Sequence, residues 1–270
     1  MKPPGPTAQT PWEHLRAFTD ARIALGRAGG SLPTRAALEF EHAHARAKDA
    51  VYAGFDAAGL AAALERLAGK KPLLSSSRAE GREGYLTRPD LGRTLRAGEA
   101  DRLREVSLRD GPFGIAIVVG DGLSAAAVGR GAEPLLEALL PQLKDTGLTP
   151  APIVVAQGAR VALADAIGEA LGAKLSLILI GERPGLSTPE SMGAYLTYAP
   201  RPGRTDAERN CVSNVRPAGL SYRGAAALLG LLIREALRLE LTGVALKVEA
   251  PAELPAPKTA LDERARPGEL

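Results

Sequence analysis

The stretch Leu175-Ser-Leu-Ile-Leu-Ile-Gly-Glu-Arg-Pro-Gly-Leu186 decides how the rest of the chain is read. Its first six residues are apolar except for one serine and carry no period-2 alternation, which is the pattern of a strand buried on both faces. The run breaks at Gly181 into Glu182 and Arg183, which are followed by Pro184 and Gly185, residues of special backbone conformation. In open α/β sheets, ligands bind in the crevice beyond the carboxyl ends of the strands. A charged pair placed there either edges a ligand site or is an ordinary polar exit from the sheet. Pattern alone does not choose between them.

Working outward, the segment from Asp110-Gly-Pro112 to about residue 247 alternates strands with helices. The expected order is strand Ile115–Val119, helix Glu133–Thr146, strand Pro152–Ala156, helix Val161–Leu171 and strand Leu175–Ile180. Extended pieces follow at Ala194–Tyr198 and Val212–Val215, then a long helix over Ser221–Leu239. Alternation of this kind calls for βαβ units and a mostly parallel sheet with flanking helices, a Rossmann-like α/β domain.

The preceding part reads as a helical N-terminal region over 12–109. One helix starts at Trp12, with Leu15, Phe18, Ile23 and Leu25 as its apolar positions, and stops near Gly29 and Gly30. A second runs from Thr34 to Tyr52, with Leu38 and His42 on its contacting side. An Ala-rich third covers Asp56–Ala68, and a fourth covers Ala97–Leu108. Residues 70–84 read as polar and irregular, and Tyr85–Leu91 as a short extended piece. The Pro-rich residues 1–11 are expected to be a disordered leader, and 248–270, rich in Pro, Ala and charge, a flexible tail.

Composition narrows the class. The 270 residues are 45% hydrophobic and 24% charged, which is globular. A net charge of +3, with arginines scattered and only 4% aromatics, gives no basic and aromatic platform for nucleic acid. No apolar run is long enough to span a membrane. A single cysteine rules out an internal disulfide framework and suits a reducing compartment. The start of the chain lacks the apolar core of a secretion signal, so a cytoplasmic location is expected.

Few motifs carry chemistry. Gly120-Asp-Gly-Leu-Ser-Ala125 loosely fits a dinucleotide fingerprint, but Asp121 sets a negative charge where a pyrophosphate must approach. The acidic residue expected at the end of the next strand is also missing, because that strand exits at Ala156-Gln-Gly158. Asp121 and Ser124 therefore read as turn and N-cap residues. His14, His42 and His44 all precede the α/β domain and lack metal-ligand spacing, so no metal site is expected. No serine sits in a nucleophile elbow. Cys211 is either a small buried hydrophobe or one wall of a ligand site, and Val161, which opens a helix after the Gln157-Gly-Ala-Arg160 loop, reads as helix–sheet packing. These residues make a crevice without a complete catalytic set, which suggests a site finished by a partner.

Gly181-Glu-Arg-Pro-Gly-Leu186, Glu190-Ser-Met-Gly-Ala-Tyr-Leu-Thr-Tyr-Ala-Pro200 and Arg209-Asn-Cys-Val-Ser-Asn-Val215 resemble segments of the small subunits of ethanolamine ammonia-lyases. Ala21-Arg-Ile-Ala-Leu-Gly-Arg-Ala28, Leu86-Thr-Arg-Pro-Asp-Leu-Gly92 and Asp121-Gly-Leu-Ser124 extend the likeness over nearly all of residues 12–247.

The resemblance implies an adenosylcobalamin-dependent lyase that converts ethanolamine to acetaldehyde and ammonia by a radical route. It also implies a large barrel subunit as partner, which carries the catalytic residues, with the cofactor lying between the two chains. The family's cobalamin contacts fall here on Val161, Glu182 and Cys211, with no catalytic and no metal-ligating residue in this chain. Arg183 is expected to pair with Glu182 or to reach the cofactor's phosphate. The resemblance also allows a bacterial microcompartment, a location put in doubt because only a short Pro-rich leader precedes Trp12. The alternative is a non-catalytic α/β module that binds a nucleotide or a protein. A third reading, a nicotinamide-dependent dehydrogenase, rests on the Gly120 match.

Overall fold

A computed structural model describes residue 10, residues 12–19 and residues 21–248. The expected disordered leader and flexible tail fall almost wholly outside the described residues.

The Leu175 stretch is a strand buried along its whole length. Six strands, β1 (Leu73–Ser76), β2 (Ile115–Gly120), β3 (Val154–Gln157), β4 (Leu175–Gly181), β5 (Met192–Tyr198) and β6 (Arg209–Val215), form one sheet in the order β1-β3-β2-β4-β5-β6. The pairs β1–β3, β3–β2 and β2–β4 are parallel, whereas β5 runs antiparallel to both β4 and β6. Five of the six strands thus point the same way.

Every residue of β2 and β4 is buried, because helices cover both faces. On one face Ile115, Ile117, Leu175, Leu177 and Leu179 pack under α2 (Ala57–Ala68), α5 (Ala125–Lys144) and α7 (Tyr222–Leu239). On the other, Ala116, Val118, Ile178 and Ile180 meet α4 (Glu99–Asp110) and α6 (Leu163–Ala170). Each of the buried leucines of β4 contributes about 1.5 to 3 kcal/mol.

The crossovers place the crevice. From β2 the chain passes through α5 on one face to β3, then through α6 on the opposite face to β4. Since β3 and β4 flank β2 on opposite sides, the connections diverge beyond the carboxyl ends of β2 and β4. That topological switch point is where such sheets bind ligands.

Several expected elements differ. The helix from Trp12 is only a 3-10 turn over Glu13–Phe18 with no buried residue, and Gly26 beyond it has φ +77°. Of the apolar positions expected on it, Leu15 and Phe18 stand exposed and Ile23 and Leu25 lie beyond its end, so no burial sustains more turns. Residues 73–76, read as irregular, form β1; four residues, Leu-Leu-Ser-Ser, are too few to show a period. The extended piece at 85–91 is instead the end of α3 (Gly81–Thr87) followed by a 3-10 turn. Pro89 was the misleading signal, since it stops a helix by forcing Arg88 out of the helical region (ψ +72°).

α5 begins at Ala125 and not at Glu133, because Ser124 caps it by accepting the Ala127 N–H at 3.3 Å. Gly129, Gly131 and Pro134, weak or unfavourable helix formers, lie within it. In α1 (Thr34–Tyr52) the buried residues are Ala43, Ala47 and Ala50, while Leu38 and His42 face solvent.

One buried ion pair ties α6 to the sheet's far edge. Arg209 at the start of β6 meets Asp165 in the first turn of α6, and both side chains are almost fully enclosed. Arg209 also donates to Asp206 at 2.9 Å and to the Arg204 carbonyl at 2.8 Å. Removing the carboxylate leaves an enclosed cation with partial compensation only. Asp165→Ala is expected to lower the unfolding free energy by about 3 to 5 kcal/mol, read from urea denaturation near pH 7.

Candidate functional site

Three loops converge at the switch point, one leaving each of β2, β3 and β4. The first is a tight turn in which Gly122 has φ +57°, a value that L-residues with side chains rarely adopt. Leu123 donates its N–H to the Gly181 carbonyl at 2.9 Å, which joins the first loop to the third. Asp121 joins the first to the second, because its Oδ1 accepts the N–H of Ala159 at 2.9 Å and of Gly122 at 3.0 Å. The Asp121 carboxyl is buried, and that burial raises its pKa. The role expected of Asp121 and Ser124, turn and N-cap, is what the structure shows.

Glu182 leaves the sheet immediately beyond this junction. Its N–H donates to the Ser191 carbonyl at 2.9 Å and closes the neck of the 182–191 loop. Its carboxylate reaches sideways across β5. Oε2 accepts the Ser191 hydroxyl at 2.6 Å, and Oε1 accepts the Asn214 N–H, from β6, at 3.2 Å. The β5–β6 register slips between Met192 and Ala194, where Ser213 and Asn214 of β6 bulge opposite the single Gly193 and Asn214 adopts φ +56°. Bulges of this kind re-aim neighbouring groups. A side chain at Gly193 would crowd Glu182 and Tyr195, each 3.1 Å from where its Cβ would stand. Two of the carboxylate's four lone-pair sites are thus taken by the protein, and two remain for a ligand.

Val161, Glu182, Arg183, Arg160, Tyr85 and Tyr195 line an open cleft of about 170 Å³. Two of the three expected contact residues, Val161 and Glu182, therefore share one wall-to-wall space. Val161 lies in the turn before α6, half-buried against the apolar core, so it both packs and faces the cleft. Cys211 stands one strand further out, paired across β5–β6 with Tyr195. The residue is exposed, which corrects the reading of it as a buried hydrophobe. Its thiol nonetheless has a raised pKa, through desolvation and the nearby Glu182 charge, so it is a neutral, soft surface and not a reactive thiolate. Arg183 is exposed, and among the described residues Glu182 pairs with Ser191 and Asn214 instead of with it.

Sequence reasoning overlooked the cleft's cationic floor. The Arg160 and Arg82 guanidinium groups lie over the Tyr85 ring, 4.2 and 4.8 Å from its centre. The Tyr85 hydroxyl donates to the Ala159 carbonyl at 3.0 Å, and burial pushes its pKa up to about 12. Arg82 lies 3.8 Å from Asp121, and Arg160 donates to the Tyr85 carbonyl at 3.1 Å. Arg160 Nε and Arg82 Nη2 are buried without a hydrogen-bond partner among the described residues. The signal available in the sequence was Arg160, one residue before Val161, at the carboxyl end of a strand.

Among the described residues no cluster of His, Cys, Asp or Glu could hold a metal ion, and no helix is long and apolar enough to cross a membrane. The cleft has an oriented carboxylate, guanidinium groups and an aliphatic wall, with the Cys211 thiol one strand outside it. That set can bind and orient a ligand rich in amide and hydroxyl groups. It holds no nucleophile–base pair.

Residues 9–247 match the family model described as ethanolamine ammonia-lyase light chain. Proteins named ethanolamine ammonia-lyase small subunit are similar along most of the chain. The one from Azotobacter vinelandii is 55% identical over 251 residues, 93% of each chain. The one from Rhodopseudomonas palustris is 52% identical over 269 residues, 99% of this chain and 100% of its own. The one from Bradyrhizobium diazoefficiens is 56% identical over 242 residues, 89% and 92% of the two chains. Likeness of this extent, across every element around the cleft, places the chain in the ethanolamine ammonia-lyase light-chain family, as a subunit of an ammonia-lyase.

Proposed function

We propose that this chain forms one wall of an adenosylcobalamin site whose other wall is the large subunit, and that it binds the cofactor without taking part in bond making or breaking. The observation that carries this reading is the convergence of Val161 and Glu182 on one cleft at the switch point, with Cys211 beside them through Tyr195. A cleft of about 170 Å³ is below the range of self-contained ligand pockets, roughly 300–1,000 Å³. It admits an edge of a cobalamin, so the remainder must be covered by another chain.

The residues suit such a ligand. Glu182 arrives already oriented by Ser191 and Asn214, so binding immobilises little that was free. Its spare lone pairs accept from amide or hydroxyl groups on the cofactor's periphery. Val161 and Cys211 offer apolar and polarisable contact to its bulk. Arg160 and Arg183, with the Arg82 charge behind, favour the phosphate of its nucleotide tail. When bound, the cofactor supplies a carbon-centred radical for hydrogen abstraction from ethanolamine. This chain's contribution is to hold one flank of it in register and keep water from that flank. All three histidines lie at or before residue 44, so the α/β part offers no imidazole to such a cofactor.

Two outcomes are expected. The purified chain alone turns over no ethanolamine with adenosylcobalamin and gains activity when mixed with the large subunit; turnover by the chain alone would refute the division of labour. In that complex, Glu182→Ala raises the apparent cobalamin Kd by about five- to thirtyfold, equivalent to roughly 1–2 kcal/mol for a lost hydrogen bond to a charged group. A visible-spectrum titration reads this directly, and an unchanged Kd would leave Glu182 as a brace for the β5–β6 bulge only.

A further inference from the structure

The N-terminal segment presents a second surface with no role in the cleft. Seven of the eleven large hydrophobic side chains that stand exposed among the described residues fall between Trp12 and Tyr52. The Glu13–Phe18 turn buries nothing, and nineteen-residue α1 buries only three alanines. A helix is sustained in water mainly by burying an apolar face, and alanines bury little. Trp12, Phe18, Leu32, Leu38 and Phe40 are each at least 45% exposed, in a chain where aromatics are only 4% of residues. Spending so many of them on solvent marks a contact surface.

The position of this surface says what covers it. Leu25, Leu32 and Phe40 form one side of a groove of about 540 Å³, whose other side is Gly185–Thr188. Those residues belong to the 182–191 loop that Glu182 begins, so the groove and the cleft flank the same loop. On the reading above, the cleft is closed by the large subunit. A chain that covers the cleft sits against that loop and has the apolar groove directly beside it.

We infer that the apolar arm over residues 12–52, centred on the Leu32–Phe40–Leu186 groove, is a principal docking surface for an apolar face of the large subunit. The arm does not cap this chain's own sheet. This inference rests on the shared-site reading and adds the surface that holds the two chains together.

The test uses full-length chain and measures its affinity for the large subunit by biolayer interferometry, with chain self-association followed by analytical ultracentrifugation. Phe40→Glu and Leu32→Glu are expected to weaken binding about tenfold or more, as for a desolvated apolar anchor, with unchanged circular dichroism and thermal midpoint. Leu108→Glu, at an 88% exposed position on α4 outside the arm, stays within about twofold of the parent. Glu182→Ala retains the partner while binding cobalamin more weakly, which separates assembly from cofactor binding. Equal affinity of the Phe40 and parent chains overturns the inference. So does self-association that Phe40→Glu abolishes while large-subunit binding is untouched, because a second copy would then be the occupant. Failure of the parent chain to bind the large subunit overturns the shared-site reading and this surface with it.

Discussion

The backbone contact between Gly181 and the Asp121–Ser124 turn is the constraint on which the cleft depends. The Leu123 N–H reaches the Gly181 carbonyl, and neither Gly122 nor Gly181 could carry a side chain without striking the opposing backbone. Adjacent parallel strands normally let their connections spread apart at the switch point. Here the loops after β2 and β4 are drawn together, and Asp121 draws in the loop after β3 through Ala159. What opens is therefore a narrow cleft and not a broad crevice. Glu182 and Val161 emerge on its two sides because the residues just before them are pinned.

Electrostatics follow from that geometry. Asp121 lies buried beneath the junction, and its charge is met by backbone N–H groups and by Arg82 at 3.8 Å. Arg82 and Arg160 both stack on the Tyr85 ring. Of the two, Arg160 lines the cleft, together with Arg183. Glu182, in contrast, has its charge shared with a hydroxyl and an amide at the β5–β6 bulge. A cationic floor and an anchored carboxylate rim suit the large polar ligand proposed for the cleft. They include no nucleophile–base pair, as the proposed binding role requires.

The sheet was legible in the sequence where burial on both faces made apolar runs, as in Ile115–Val119 and Leu175–Ile180. The long amphipathic α7 was legible too, expected over Ser221–Leu239 and found over Tyr222–Leu239. The four-residue β1 was not, since nothing periodic fits in Leu-Leu-Ser-Ser. The first turns of α5 were hidden by Gly129, Gly131 and Pro134. In the structure Gly131 is an asset, because a side chain there would press on Tyr222 and Met192. Glu182 could be singled out from the sequence because it ends a buried strand. Its true partners could not be. Ser191 and Asn214 come from a loop closure and a bulge on a different strand, and those depend on register and not on local pattern. The Arg82–Tyr85–Arg160 stack was invisible for a related reason: it joins residues 75 positions apart whose proximity only the folded sheet provides.

The central claim is that a cobalamin held by the lyase touches the carboxyl ends of β3 and β4 in this chain. Amide hydrogen exchange on the assembled complex, with and without cyanocobalamin, tests it most directly. The account predicts added protection confined in this chain to residues 157–163, 181–191 and 209–215, the segments that bear Val161, Glu182 and Cys211. Cobalamin bound by the complex with no change in those segments would place the cofactor wholly in the large subunit and contradict it.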